Sequence, residues 1–282
     1  MVGNGQPSIR EIRFESRVHP SLPVEVIDRS ELMSRHDLKE FATPQRPSFH
    51  AFLLVQSGTG IHMVDFVEIS VRPGQLVQVR PGQVQIWDID CAFEAVIVLS
   101  KTSVPPLSTH SIFSNAYRDL DQASLRTAQG LVELLRREQE RFDGNDASIR
   151  LMNALFEALC CVFERGRDEQ PTSLPKPYVA FVEAVEDNLF QSHTVRELAD
   201  SIGFSERTIT RACQKVCARS AREVLNERLV VEAKRLLAYT DRLASEIATD
   251  LGFSEPTNFH KFFIRHAGMR PSQFRSGYRK AS

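Results

Sequence analysis

The chain has 282 residues, 42% of them apolar and 25% charged, with a formal net charge of −1. That length suggests two domains, and the apolar share is ordinary for globular protein with real cores. No unbroken apolar run of about 18 residues occurs, which argues against a membrane-spanning helix. The first ten residues lack an apolar signal core, and five cysteines stand in no disulfide-like framework, so a reducing cytoplasm is the expected location.

Residues 1 to about 110 read as strands. Phe52–Val55 is a short apolar run. Ile61, Met63, Asp65, Val67, Ile69 and Val71 alternate with His62, Val64, Phe66, Glu68 and Ser70. Arg72-Pro-Gly-Gln75 then recurs as Arg80-Pro-Gly-Gln83, and Pro-Gly marks turns. The pattern is turn, short strand, turn, then a strand through Trp87, with another strand over Phe93–Leu99. Short strands spaced closely by turns predict an antiparallel barrel or sandwich.

From about Asp119 the period changes to that of a helix. Leu125, Ala128, Val132, Leu135 and Phe142 form one stripe, and Ile149, Met152, Phe156, Leu159 and Phe163 form a second. Asp143-Gly-Asn-Asp146 separates them as a turn, so a helical hairpin is predicted over about 119–167. One stripe is expected on the barrel and the other on a twin subunit. Residues 168–177 are charged and then proline-rich, which predicts a linker between a first domain, 1–167, and a second, 178–282.

The second domain contains a doubled pattern. Val195-Arg-Glu-Leu-Ala199-Asp-Ser-Ile-Gly203-Phe204 is followed by Ser205-Glu-Arg-Thr-Ile209-Thr-Arg211. Ala244-Ser-Glu-Ile-Ala248-Thr-Asp-Leu-Gly252-Phe253 is followed by Ser254-Glu-Pro-Thr-Asn-Phe259-His-Lys261. Each copy is a short helix with a small alanine where two helices must touch. A glycine follows where the chain must turn, then a Ser-headed helix, which is the sequence form of a helix-turn-helix. The first unit is expected over about 194–217 and the second over about 243–266. Between them Leu225, Leu229, Ala233, Leu236 and Leu237 recur at helical steps, predicting one long spacer helix over Glu223–Leu237. Residues 171–282 carry a net charge of +4 and residues 1–170 a net charge of −5. The basic excess therefore sits with the doubled motif, where phosphate neutralisation would act.

The run Glu232-Ala-Lys-Arg-Leu-Leu-Ala-Tyr-Thr-Asp, then Glu246-Ile-Ala and Leu251-Gly-Phe-Ser, resembles the DNA-binding domain of the AraC/XylS family. So does the ending Phe259-His-Lys-Phe-Phe263, then Gly268-Met-Arg-Pro271-Ser-Gln-Phe274-Arg275. The resemblance covers roughly the last hundred residues. It implies a bacterial transcription regulator that reads promoter DNA with two helix-turn-helix units and meets RNA polymerase. It also implies a first domain that senses a small-molecule effector, forms a homodimer, or both. The Pro-Gly hairpins resemble the cupin-type sensor barrel found ahead of this domain in the family, here over about 10–110. The fold class expected is therefore α+β, a cupin-like antiparallel barrel and helical hairpin followed by an all-α domain.

Metal-dependent cupins need imidazoles and a carboxylate converging from neighbouring strands. The paired His-x-His is absent here, so no metal, no cofactor and no enzymatic activity are expected. His50, Phe52, His62 and Trp87 are the candidate effector-pocket residues, because a barrel mouth suits a small ligand. In the first recognition helix the exposed positions are Ser205, Arg207, Thr208, Thr210, Arg211 and Gln214, with Ile209 and Cys213 inward. By resemblance Arg207, Thr210 and Arg211 face bases, and Cys213 stands where the family commonly has an aromatic residue. In the second, Ser254, Thr257, Asn258 and Lys261 are the DNA-facing candidates. The function expected is a DNA-binding regulator, an activator in the first reading with repression left open, controlled by a small-molecule effector or by dimerisation through its first domain. The alternatives are a ligand-independent regulator whose barrel binds a protein partner, and a cupin-type enzyme.

Overall fold

The computed structural model describes residues 9–16, 18–101, 116–165, 174–190 and 194–281. Two compact units divide them. Most of the expected linker, 168–177, lies outside the described residues; its last two belong to the first helix of the second unit.

The first unit is built from two five-stranded sheets. One has the order β1 (Arg10–Ile12), β3 (Gln45–Pro47), β8 (Gln85–Trp87), β5 (Gly60–Val64), β6 (Val67–Val71). The other has the order β10 (Tyr117–Asp119), β7 (Gln75–Val79), β4 (His50–Gly58), β9 (Phe93–Ser100), β2 (Val24–Asp28). Among the described residues no ladder joins the two sheets, so of the barrel or sandwich expected from the strand spacing the closed barrel is not formed by backbone pairing. One pair, β1 with β3, is parallel rather than antiparallel. Helices α1 (Arg29–Ser34) and α2 (Leu38–Phe41) intervene between β2 and β3, which gives the chain length to return in the same direction. Neither helix was expected in a region that reads as strands throughout.

The alternation over Ile61–Val71 is not one strand but a hairpin. Asp65 and Phe66 both take positive φ, 47° and 70°, the geometry of a two-residue loop whose twist matches the strands. The turn also reverses the phase: His62 and Val64 point inward before it, Ile69 and Val71 after it. Both Pro-Gly repeats form the same turn. In each the glutamine side chain accepts from the backbone N–H of the preceding arginine, Gln75 from Arg72 at 3.0 Å and Gln83 from Arg80 at 2.8 Å.

β4 is buried on both faces. One face, with Ala51, Leu53 and Val55, meets Val64, Ile69 and Trp87 of the other sheet. The opposite face, with Phe52 and Leu54, meets α3 (Gln122–Glu140) and α4 (Asp146–Glu164). Both helical stripes are consumed there: Ala128, Val132 and Leu135 of α3 and Met152, Phe156, Leu159 and Phe163 of α4 share one core. The expectation that one stripe is kept for a twin subunit fails, because a two-faced sheet has room under it for both.

The second unit is all helical: α5 (Lys176–Asp187), α6 (Val195–Ser201), α7 (Glu206–Cys217), α8 (Ala221–Tyr239), α9 (Ala244–Asp250), α10 (Pro256–Ala267) and α11 (Pro271–Ala281). Its axis is α8. A helix apolar on one stripe lies at a surface, whereas α8 buries residues all round, from Val224 and Leu225 through Arg228, Glu232 and Arg235 to Tyr239. Its start is fixed by a reciprocal cap, Ser220 with Glu223. Buried charge on α8 is paired. Glu232, with no exposed side-chain surface, accepts from Arg228 at 3.1 Å and Arg235 at 2.9 Å, and Arg228 reaches Glu186 of α5 at 2.8 Å. Burial alone pulls the Arg228 pKa down, but the two carboxylates together hold it above its ordinary value.

Candidate nucleic-acid interface

The first motif is α6, a turn over 202–205, and α7. Thr194 caps α6 by accepting from Glu197 N–H at 3.1 Å. Gly203 takes φ 72°, a value an L side chain resists, and Phe204 N–H bonds back to Ala199 O at 3.0 Å to close the turn. Ser205 then caps α7, accepting from Thr208 N–H at 3.2 Å. One face of α7 is locked down by Ile209, Ala212 and Cys213, all in the core. Cys213 packs fully buried, and desolvation pushes its thiol up to about 12, so it acts as a small hydrophobe.

The opposite face of α7 is what the core leaves over. Arg207, Arg211 and Gln214 are exposed, and Thr208 and Thr210 are half-buried beside them. Arg207 and Arg211 lie four residues apart, hence one above the other on the helix surface. Neither makes a hydrogen bond or ion pair with a described residue. Ser205 is exposed too, but its Oγ is occupied by the cap and by Thr208 Oγ1 at 2.8 Å.

The second motif is α9, a turn over 251–255 one residue longer than the first, and α10. Gly252 repeats the positive φ at 68°, and Phe253 N–H bonds to Ala248 O at 2.9 Å, the same closure as in the first motif. The extra residue moves the cap. Glu255, not Ser254, precedes the helix, and Pro256 occupies its first turn, where its missing N–H costs nothing. Phe259 and Phe263 are fully buried. Thr257, Asn258, His260, Lys261 and Arg265 are exposed, with Asn258 Nδ2 3.5 Å from Ser254 Oγ. The sequence reading also turns His260 outward; Arg265 extends this face beyond it, its signal there being only its helical phase against Phe259 and Phe263.

Both motifs share one core with α8. Ala199, Ile209, Leu225, Ala233, Ala248 and Phe259 belong to a single buried cluster. The two outward faces are thus carried on one rigid body rather than on two tethered pieces.

The four pocket candidates of the first unit do not converge. His50 and Phe52 lie on the β4 face that meets α4, with ring centroids 6.2 and 5.7 Å from Phe156. His62 and Trp87 lie between the sheets, paired across β5 and β8 with centroids 4.5 Å apart. Alternation along β4 puts the sheet itself between these two pairs. Burial lowers the pKa of His50 and of His62 to about 4, so both rings are neutral. Trp87 alone of the four lines a cavity, of about 450 Å³, between the sheets. No cluster of metal-ligating side chains exists among the described residues.

A family model described as a helix-turn-helix domain matches residues 198–277, from within α6 to within α11. The activator RhaS of Escherichia fergusonii is 22% identical over 245 residues, covering 81% of this chain and 86% of RhaS. RhaS of Salmonella typhimurium is 23% identical over 244 residues, covering 81% and 86%. The matched segment gives the second unit a helix-turn-helix domain, the part of the chain that resembles the AraC/XylS family. Among solved structures, the DNA-binding domain of AdpA in complex with a target DNA is 27% identical, with a TM-score of 0.35, covering 38% of this chain and 96% of that one. ToxT from Vibrio cholerae is 9% identical, with a TM-score of 0.41, covering 90% and 98%. Both RhaS relatives are described as transcriptional activators. No described helix is long and apolar enough to cross a membrane.

Proposed function

We propose that this chain is a DNA-binding transcription regulator of the AraC/XylS type, a cytoplasmic activator that places α7 and α10 in successive major-groove segments of promoter DNA. Such segments lie about 34 Å apart on one face of the duplex. The observation that carries this is the outward face of α7: two exposed arginines with no partner among the described residues, backed by a helix face that is wholly core. Arg207 and Arg211 grip guanine edges, with Thr208, Thr210 and Gln214 beside them. On α10, Thr257 and Asn258 meet base edges and Lys261 a phosphate, which positions without specifying. Ser205 and Ser254 stand at the N-terminal ends of the two helices, where phosphates are favoured. Residues 178–282 form the DNA-binding domain. Residues 1–167 form a cupin-like control domain that takes a small-molecule effector and supports a homodimer, and 168–177 is the linker. The named relatives are activators, and RNA polymerase is the partner an activator must touch.

The test is a mobility-shift titration at fixed salt on an operator selected from random DNA. Each bidentate arginine–guanine contact is worth about 1–3 kcal/mol, so Arg207→Ala with Arg211→Ala weakens binding by at least about tenfold. Unchanged affinity at the same salt would overturn the assignment.

A further inference from the structure

The cavity between the two sheets has a polar corner with an unequal balance of charge. Glu25 sits on β2 in phase with Ile27, so its side chain turns toward the other sheet, and it lines the cavity at 5% exposure. Its Oε1 accepts from Arg35 at 3.4 Å, a loose contact, and among the described residues nothing donates to Oε2. Arg35 is better served, since it also binds Glu31 one helical turn away. Two carboxylates thus share one guanidinium, and the unused capacity belongs to the buried acceptor. A ligand carboxylate would have to displace Glu25 or Glu31 from Arg35. A ligand cation displaces nothing.

The rest of the wall agrees. Phe41 and Trp87 meet edge to face at 6.0 Å, and Phe14 and Phe49 at 5.9 Å, and all four rings line the cavity. Aromatic faces attract cations, most strongly where water is excluded. Arg10, the next base in the lining, is already spent on Glu40. Glu11, Arg13 and Glu15 stand at the exposed rim, two acids to one base. A volume of about 450 Å³ lies within the range of pockets that enclose small organic molecules.

We propose that this cavity binds a small organic ammonium compound, its cationic nitrogen on Glu25 Oε2 and its body against Phe41, Phe49 and Trp87. The proposal rests on the effector role of the first unit and names the chemistry of the effector.

Calorimetric titration of the full chain tests it with ammonium probes from tetramethylammonium to 2-phenylethylammonium, against two isosteres of the latter, 2-phenylethanol and phenylacetate. The expected result is binding of at least one ammonium probe, with the alcohol about 10- to 100-fold weaker, the worth of a charged hydrogen bond. Phenylacetate should not bind. Glu25→Gln, checked for an unchanged far-ultraviolet spectrum, should bring the ammonium probe down to the alcohol's affinity, and Glu25→Asp should retain part of it. Equal or tighter binding of the alcohol or the carboxylate overturns the proposal, as does an ammonium affinity indifferent to Glu25→Gln, or no ammonium binding at all. Operator binding by the same preparations is recorded alongside. If it persists while ammonium binding is missing, the ligand class is wrong and the regulator stands; if it too is missing, the regulator assignment fails.

Discussion

Glu232→Gln tests whether the two helices proposed to read DNA depend on one buried ion network. Glu232 is fully buried on α8 and lies between Arg228 and Arg235, 3.1 and 2.9 Å from their guanidinium nitrogens. The amide keeps the shape and one acceptor but removes the charge the two cations share. Breaking a buried pair from one side costs about 3–5 kcal/mol. Arg228 retains Glu186, whose two oxygens lie 2.8 and 3.0 Å from its Nε, so the lower end, about 3 kcal/mol, applies. With a urea slope of about 1.5 kcal/mol/M, the unfolding midpoint of the helical unit falls by roughly 2 M. Two units need two probes, because a two-unit chain does not unfold in a single step. The protein has one tryptophan, Trp87, and it lies in the first unit. The dichroism transition of the helical unit should therefore move, while the Trp87 fluorescence transition and the dichroism component of α3 and α4 that accompanies it stay. A dichroism shift below about 0.5 M would refute the assignment of this network as a main support of α8.

Two further predictions follow from the same packing. His62 and His50 are held at about 4, below the ordinary 6.5, chiefly by burial. Their folded-state pKa values are depressed, so the stability they contribute is full above about pH 6.5 and is lost as pH falls toward 4. At 1.36 kcal/mol per unit, each costs about 2 kcal/mol by pH 5; denaturation followed at Trp87 should show that loss, and His62→Leu should remove about half of it. A flat profile between pH 7 and 5 contradicts the buried neutral rings. Ala218 caps α7 with φ 55°, where the matching cap of α10 is Gly268 at φ 74°. An L residue there costs about 1–2 kcal/mol, partly offset by the chain entropy of glycine, so Ala218→Gly should stabilise the helical unit by up to about 1 kcal/mol in urea titration, and destabilisation would contradict it.

The doubled motif was legible because its signals are set by backbone geometry. A glycine at positive φ and an alanine at a helix contact leave little choice of residue, and Gly203, Gly252, Ala199 and Ala248 stand where their spacing put them. The Ser-headed start expected of the second recognition helix is the one departure: Glu255 precedes α10 and Pro256 opens it. In the first unit, periodicity located strands but not their faces. β4 is apolar on both sides, so its alternation carries no phase, and nothing in the sequence distinguished Phe52, turned to Phe156 and Phe163, from Leu53, turned to the other sheet. The Asp65–Phe66 turn escaped notice because neither residue is the glycine or asparagine that normally marks such a loop. Glu25 had no sequence signature at all. Its interest arises only once α1 brings Arg35 and Glu31 over it.

The most direct measurement is guanine methylation interference on a selected operator, made with the unaltered chain, with Arg207→Ala plus Arg211→Ala, and with Asn258→Ala plus Lys261→Ala. Two clusters of interfering guanines one helical turn apart are predicted, the first pair of changes erasing one and the second pair weakening the other. A single cluster, or two clusters that both survive either pair of changes, would contradict the claim that α7 and α10 read DNA together from one rigid body.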